Sequence, residues 1–130
     1  MIAVDTNILV RYLTNDDSAQ AKLALEILRK PEEIFVAKTV LLEIEWVLRS
    51  VYEQKPLEIH KAILQILGLP NIIVESPEQI ALALEYYKQG MDFADALHLV
   101  AHSGVGQLYT FDRAFVKRAR NLLPEVILLK

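Results

Sequence analysis

Apolar and polar positions along this chain switch repeatedly between a period of two and a period of 3.6. Residues 2–5, Ile-Ala-Val-Asp, form a short apolar run closed by an acid, the pattern of a buried strand. The following residues, 6–15, put Ile8, Leu9, Tyr12 and Leu13 on one helical face. Ala21, Ala24, Leu25 and Leu28 recur at helical spacing within 16–30, and Pro31 stops that helix. Residues 33–38 predict a second strand, and 39–54 a longer helix with Thr39 as its N-cap. Pro56 opens a further helix that Gly68 and Pro70 close. A third strand is expected at 71–75, then a helix over 76–90 with Ser and Pro at its start and Gly at its end. The spacing predicts a helix over 92–104, with Phe93, Ala96, Leu97 and Val100 apolar and Asp95, His98 and His102 on a polar stripe. A strand at 107–112, a short basic helix at 113–121 and a last strand at 126–130 complete the chain. Strands alternating with helices imply an α/β fold whose mostly parallel sheet has about five strands, with helices on both faces.

Composition narrows this picture. The chain has 130 residues, of which 53% are hydrophobic, enough for one packed domain over 1–130 and too apolar for a disordered chain. No apolar run approaches the roughly 18 residues of a membrane span, so a cytoplasmic protein with no membrane partner is expected. The N-terminus has Asp5 within its apolar stretch and no basic segment before it, unlike a signal peptide. Cysteine is absent, which excludes disulfides and thiolate metal sites. A net charge of -3 does not advertise a nucleic-acid binder, although metal ions at an acidic site would supply positive charge.

The acids carry the candidate chemistry. Ligands of open parallel sheets bind beyond the carboxyl ends of the strands. Asp5 ends the first expected strand and Asp112 the fourth. Asp92 and Asp95 open a helix, and Glu43 lies early in the helix after the second strand. Taken singly, each has a plain alternative. Asp5 and Asp112 fit helix N-caps, and Asp92 and Asp95 complement a helix dipole. Glu43 stands close to Glu45, and the pattern does not say which of the two is exposed. Taken together, several carboxylates suit a hard divalent cation such as Mg²⁺ or Mn²⁺, and hence phosphoryl chemistry. His98 and His102 are four apart but lack the glutamate of a zinc-protease motif, so a polar helix face accounts for them.

The stretches VDTNILVRYLTNDDSAQAKLA, LLEIEWVLRSVY, DFADALHLVA and YTFDRAF, in that order over nearly the whole chain, resemble a PIN-domain ribonuclease of the VapC toxin type. The resemblance implies a three-layer α/β sandwich and RNA hydrolysis by four acids that bind one or two Mg²⁺ or Mn²⁺ ions. It assigns these to Asp5, Glu43 (three residues before Trp46), Asp95 and Asp112, with Asp92 an additional acid and Asn7 and Thr110 flanking polar positions. It also implies a homodimer neutralised by a VapB-type antitoxin. Arg113, Lys117, Arg118 and Arg120 follow Asp112 and are candidates for RNA phosphates, or else a solvated helix face, with Arg11 and Lys38 weaker candidates. Ile44, Trp46, Val47 and Leu48 fit core packing or a dimer contact, and Tyr86 and Tyr87 an interface or plain surface. Two other functions compete. One is a non-catalytic binding module of the same fold. The other is a Mg²⁺-dependent phosphatase or phosphotransfer domain, against which Asn7 stands where an Asp-x-Asp motif needs its second acid.

Overall fold

Four aspartates, Asp5, Asp17, Asp92 and Asp112, each end a non-helical segment and accept a hydrogen bond from a backbone N–H of the helix that follows. This satisfies donors that a helix start otherwise leaves open. Much of the chain's punctuation is therefore local. The computed structural model describes all residues 1–130 and divides into two units, Met1–Ser76 and Pro77–Lys130.

The first unit runs β1 (Ile2–Ala3), α1 (Thr6–Thr14), α2 (Ser18–Leu28), β2 (Ile34–Val36), α3 (Lys38–Ser50), α4 (Pro56–Leu67) and β3 (Ile72–Val74). Its sheet has the order β1-β2-β3, all parallel, with Ile2 opposite Ile34 and Ile34 opposite Ile72. Parallel neighbours need a crossover, and the helix pairs α1–α2 and α3–α4 supply the two. Leu9, Ile34, Leu41, Ile44, Leu48 and Ile63 are fully buried. Truncating one of them to alanine is expected to cost about 2–5 kcal/mol. Ile44 and Leu48 are thus core, while Trp46 on the same helix is exposed. The Asn71 amide donates to the carbonyls of Leu28, Lys30 and Glu32, at 3.1, 2.9 and 3.2 Å, and ties down the α2–β2 turn.

Thr39 is not the N-cap of α3. The helix starts one residue earlier, with Ala37 at the cap position and no side chain of its own to serve. Glu75, just past β3, accepts the Lys38 N–H at 3.0 Å instead. An acid remote in sequence does the work that a local hydroxyl was expected to do.

The second unit runs α5 (Pro77–Lys88), α6 (Phe93–Ala101), β4 (Gln107–Thr110), α7 (Arg113–Arg118) and β5 (Glu125–Leu128). β4 and β5 pair in parallel, from Gln107 opposite Glu125 to Thr110 opposite Leu128, with α7 as the connection. Tyr87 is buried and meets Phe93 edge to face, with ring centroids 5.2 Å apart, so it is neither interface nor open surface. On α6 the core positions are Phe93, Ala96, Leu99 and Val100; Leu97 is only half buried.

The expected single sheet of about five strands is therefore corrected. Five parallel strands form, but three belong to one sheet and two to another. Runs of two to four residues reveal a strand through alternation; partner choice is a non-local matter that alternation does not encode.

Candidate active site

In the first unit, Asp5 leaves β1 and caps α1, its Oδ1 accepting the Ile8 N–H at 3.4 Å. The cap occupies one oxygen and leaves the other available on an exposed side chain. Asp5 and Asn7 line a cleft of about 350 Å³ between α1 and α2, whose far wall is the apolar Leu23 and Ile27. Glu43 and Glu45 separate cleanly. Glu45 is 3% exposed and takes the Arg49 Nε at 2.9 Å. Glu43 is exposed and its carboxylate has no partner in the protein. Of the two, Glu43 is the one free to bind a ligand.

Arg11 is already committed. Its guanidinium donates to Gln20 at 2.7 Å, to Asp16 at 2.8 Å and to the Tyr52 hydroxyl at 3.3 Å. Tyr52 and Thr14 also donate to Asp16. The hydrogen bond from Tyr52, with further help from Thr14 and Arg11, holds the Asp16 carboxyl below the usual aspartate range despite some desolvation. This network escaped the sequence reading. Its members lie up to 41 residues apart, and only the Arg11–Asp16 spacing hinted at it.

In the second unit, three acids converge. Asp92 caps α6, its Oδ2 accepting the Asp95 N–H at 3.1 Å. Asp112 caps α7, its Oδ1 accepting from Ala114 at 2.9 Å and Phe115 at 3.2 Å. Thr110 fixes the turn, because its Oγ1 accepts the Asp112 N–H at 3.0 Å. Thr110 is thus a positioning residue for Asp112. Asp95 lies half buried in the first turn of α6, and its carboxylate has no hydrogen-bond partner. Burial, then the negative charges of Asp92 and Asp112, push its carboxyl above the usual range, while His98 offsets part of this. None of the three acids is paired with a lysine or arginine. His102 directs its Nδ1 at the His98 backbone carbonyl, 2.6 Å away, so the His102 ring is tied up in local helix bonding.

The basic stretch is also in this unit. Arg113, Lys117, Arg118 and Arg120 are all exposed and none forms a salt bridge. Arg118 differs from the rest, since its guanidinium lies over Gly90. A Cβ on that glycine would stand 2.9 Å from Nη1, which the exposed arginine can relieve by moving, whereas φ there is +112°, which favours glycine.

The chemistry of the donor set fits a hard divalent cation. Every candidate ligand is a carboxylate, each capping acid retains a free oxygen, and Asp95 carries uncompensated negative charge. Within neither unit do three such side chains stand close enough to hold a metal on their own. Asp5 and Glu43 belong to one unit, and Asp92, Asp95 and Asp112 to the other.

Parallel strands that feed helices, with acids at the turns, define an α/β protein of the kind that handles ligands at its strand ends. The family can be stated as well: the PIN domain matches residues 2–121, nearly the whole chain and parts of both units, and the chain belongs to that family. PIN domains are typically nucleases, generally use divalent metals, and point to RNA binding. No curated protein matches the chain. No helix is long and apolar enough to cross a membrane.

Proposed function

We propose that this PIN domain, spanning 1–130, is a Mg²⁺- or Mn²⁺-dependent endoribonuclease of the VapC toxin type. The observation that carries the reading is Asp95. A half-buried carboxylate with no hydrogen-bond donor, set against two more acids, is a poor structural element and a good metal ligand. The resemblance assigns metal binding to Asp5 and Glu43 in the first unit and to Asp95 and Asp112 in the second, and Asp92 would orient Asp95 through its backbone N–H or add an outer contact. A bound divalent cation supplies charge stabilisation and an activated water for phosphodiester hydrolysis. Thr110 holds Asp112 in place through the backbone. Asn7, beside the capping Asp5 and exposed to the cleft, is available to contact substrate. Arg113, Lys117, Arg118 and Arg120 are open to RNA phosphates. A homodimer, a VapB-type antitoxin and a cytoplasmic setting follow from the same resemblance.

The test is cleavage of RNA by the purified chain. Hydrolysis should require Mg²⁺ or Mn²⁺, stop with EDTA, and fall roughly 100-fold or more in Asp95→Asn. Robust cleavage in chelator would remove the metal mechanism, and metal-dependent cleavage at a near-normal rate in Asp95→Asn would remove the assignment of that residue.

A further inference from the structure

Two adjacent cations at the end of α7, Lys117 and Arg118, line a cleft of about 180 Å³. The other walls are Tyr86 near the end of α5, Gln89 and Met91 just after that helix, and Leu122. All of these residues belong to the second unit. Met91 is buried and Leu122 half buried, so the cleft combines apolar walls with two positive charges. No carboxylate lines it. Lys117 and Arg118 form no salt bridge or hydrogen bond, and the half-buried Tyr86 hydroxyl has no partner either. A helix C-cap is the plain role for Arg118, because its guanidinium lies over Gly90, where α5 ends. The hydrogen bonds there are already made. The carbonyls of Glu85, Tyr86 and Tyr87 accept the N–H groups of Gln89, Met91 and Gly90 at 3.1, 3.1 and 3.0 Å. Arg118 keeps its whole fork of donors.

Charge and donor geometry decide what the cleft fits. Two like charges on one cleft repel until an anion joins them. Arginine offers a planar fork and lysine a point charge, and both suit phosphate oxygens. We infer that the cleft is a binding site for a phosphate monoester. Lys117 and Arg118 hold its charge, the Tyr86 hydroxyl donates to a further oxygen, and Met91 and Leu122 pack on the group that carries the phosphate. A monoester carries a charge of about -1.5 to -2 at neutral pH, which matches two cations. An internal phosphate of a nucleic acid carries only one negative charge and matches them less well. Asp92, Asp95 and Asp112 do not line the cleft, so the inference stands apart from the ribonuclease reading. A free nucleotide and the 5′ end of an RNA both present this chemistry.

The test is calorimetry in EDTA, where no metal can bridge a phosphate to the acids. Inorganic phosphate, adenosine 5′-monophosphate and a short RNA with either a 5′-phosphate or a 5′-hydroxyl are titrated into wild type and five variants. Circular dichroism checks each fold. Arg118→Gln and Lys117→Gln should each weaken monoester binding at least about tenfold, the worth of a charged hydrogen bond. Tyr86→Phe should weaken it about 2- to 10-fold, the worth of a neutral donor. Arg118→Lys should fall between wild type and Arg118→Gln, because lysine keeps the charge and loses the fork. Lys88→Gln removes an exposed cation of α5 that does not line the cleft and should leave the affinity unchanged. Tighter binding of the nucleotide than of the 5′-phosphorylated RNA supports the site and names a free nucleotide as its ligand; the reverse order supports it and names the RNA end. No monoester binding by wild type, or wild-type affinity in Arg118→Gln and Lys117→Gln, overturns the site. An equal loss in Lys88→Gln does so too, since it would reduce the effect to general charge. So does an Arg118→Gln loss as large for the 5′-hydroxyl RNA as for the monoesters, which would assign the cation to internal phosphates.

Discussion

Asp16 and Asp95 are aspartates in charged surroundings, and the fold treats them in opposite ways. Asp16 receives hydrogen bonds from Arg11, Tyr52 and Thr14, and its carboxyl is held below the ordinary range. Asp95 receives none, faces Asp92 and Asp112, and its carboxyl is pushed above that range by burial and by those two charges. The first arrangement repays the ordering of its side chains with bonds and fastens α1 to the chain around Tyr52. The second costs stability and returns nothing to the metal-free protein. A group that destabilises the fold and persists in it is best explained by what it binds. The lesson is that acid content alone is uninformative, and the presence or absence of donors around each acid sorts structure from function.

The largest effect should come from breaking the unpaired acid. Asp95→Asn is expected to lower RNA cleavage roughly 100-fold or more, beyond the roughly 10- to 100-fold that losing an orienting partner costs a metal site. Asp92→Asn should fall within that smaller range, because Asp92 acts on Asp95 through a backbone bond. Initial rates in Mn²⁺ measure both. A dead Asp92→Asn beside a near-normal Asp95→Asn would reverse the two roles.

Next is the paired acid. Tyr52→Phe removes the strongest support of Asp16 and one bond to Arg11. It should melt a few degrees below wild type at neutral pH and cleave RNA normally. The sign of its pH dependence follows from linkage. A lowered folded carboxyl contributes stability above the ordinary aspartate pKa, and that contribution is lost as pH falls through the depressed value. The gap between wild type and Tyr52→Phe should therefore close in acid. A gap that is constant with pH would mean that Asp16 is not the group through which Tyr52 acts.

The smallest effect sharpens the contrast. In EDTA, Asp95→Asn should melt at or above wild type, by at most about 0.5 kcal/mol once solvent screening is allowed for, which is a degree or two. Here the sign is opposite. A raised folded carboxyl makes the metal-free protein less stable above its own pKa, and stability is recovered as pH falls through that value toward the ordinary aspartate range. The advantage of Asp95→Asn over wild type should shrink over the same window. A clear loss of melting temperature in EDTA would mean that Asp95 serves the fold.

The local part of this was legible in the sequence. Asp5 and Asp112 were read both as caps and as ligands, and both are caps with an oxygen to spare. Pro56 and Gly68 bound α4 as expected. What was not legible is non-local. Glu75 reaches back to cap α3 from 37 residues away, so Thr39 looked like the better choice. Strand pairing divides between two sheets because short strands show their phase and not their neighbours. The Glu43–Glu45 ambiguity was closer to readable, since Glu45 and Arg49 stand four apart with the glutamate first, the favourable order for a helical pair.

The central claim is that the unpaired acids, and not the paired one, bind a divalent metal. Mn²⁺ binding by calorimetry on wild type, Asp95→Asn and Asp16→Asn tests it most directly. Wild type and Asp16→Asn should bind Mn²⁺ with the same affinity, and Asp95→Asn should bind at least about tenfold more weakly. Equal Mn²⁺ affinity in wild type and Asp95→Asn, or a loss confined to Asp16→Asn, would contradict the account.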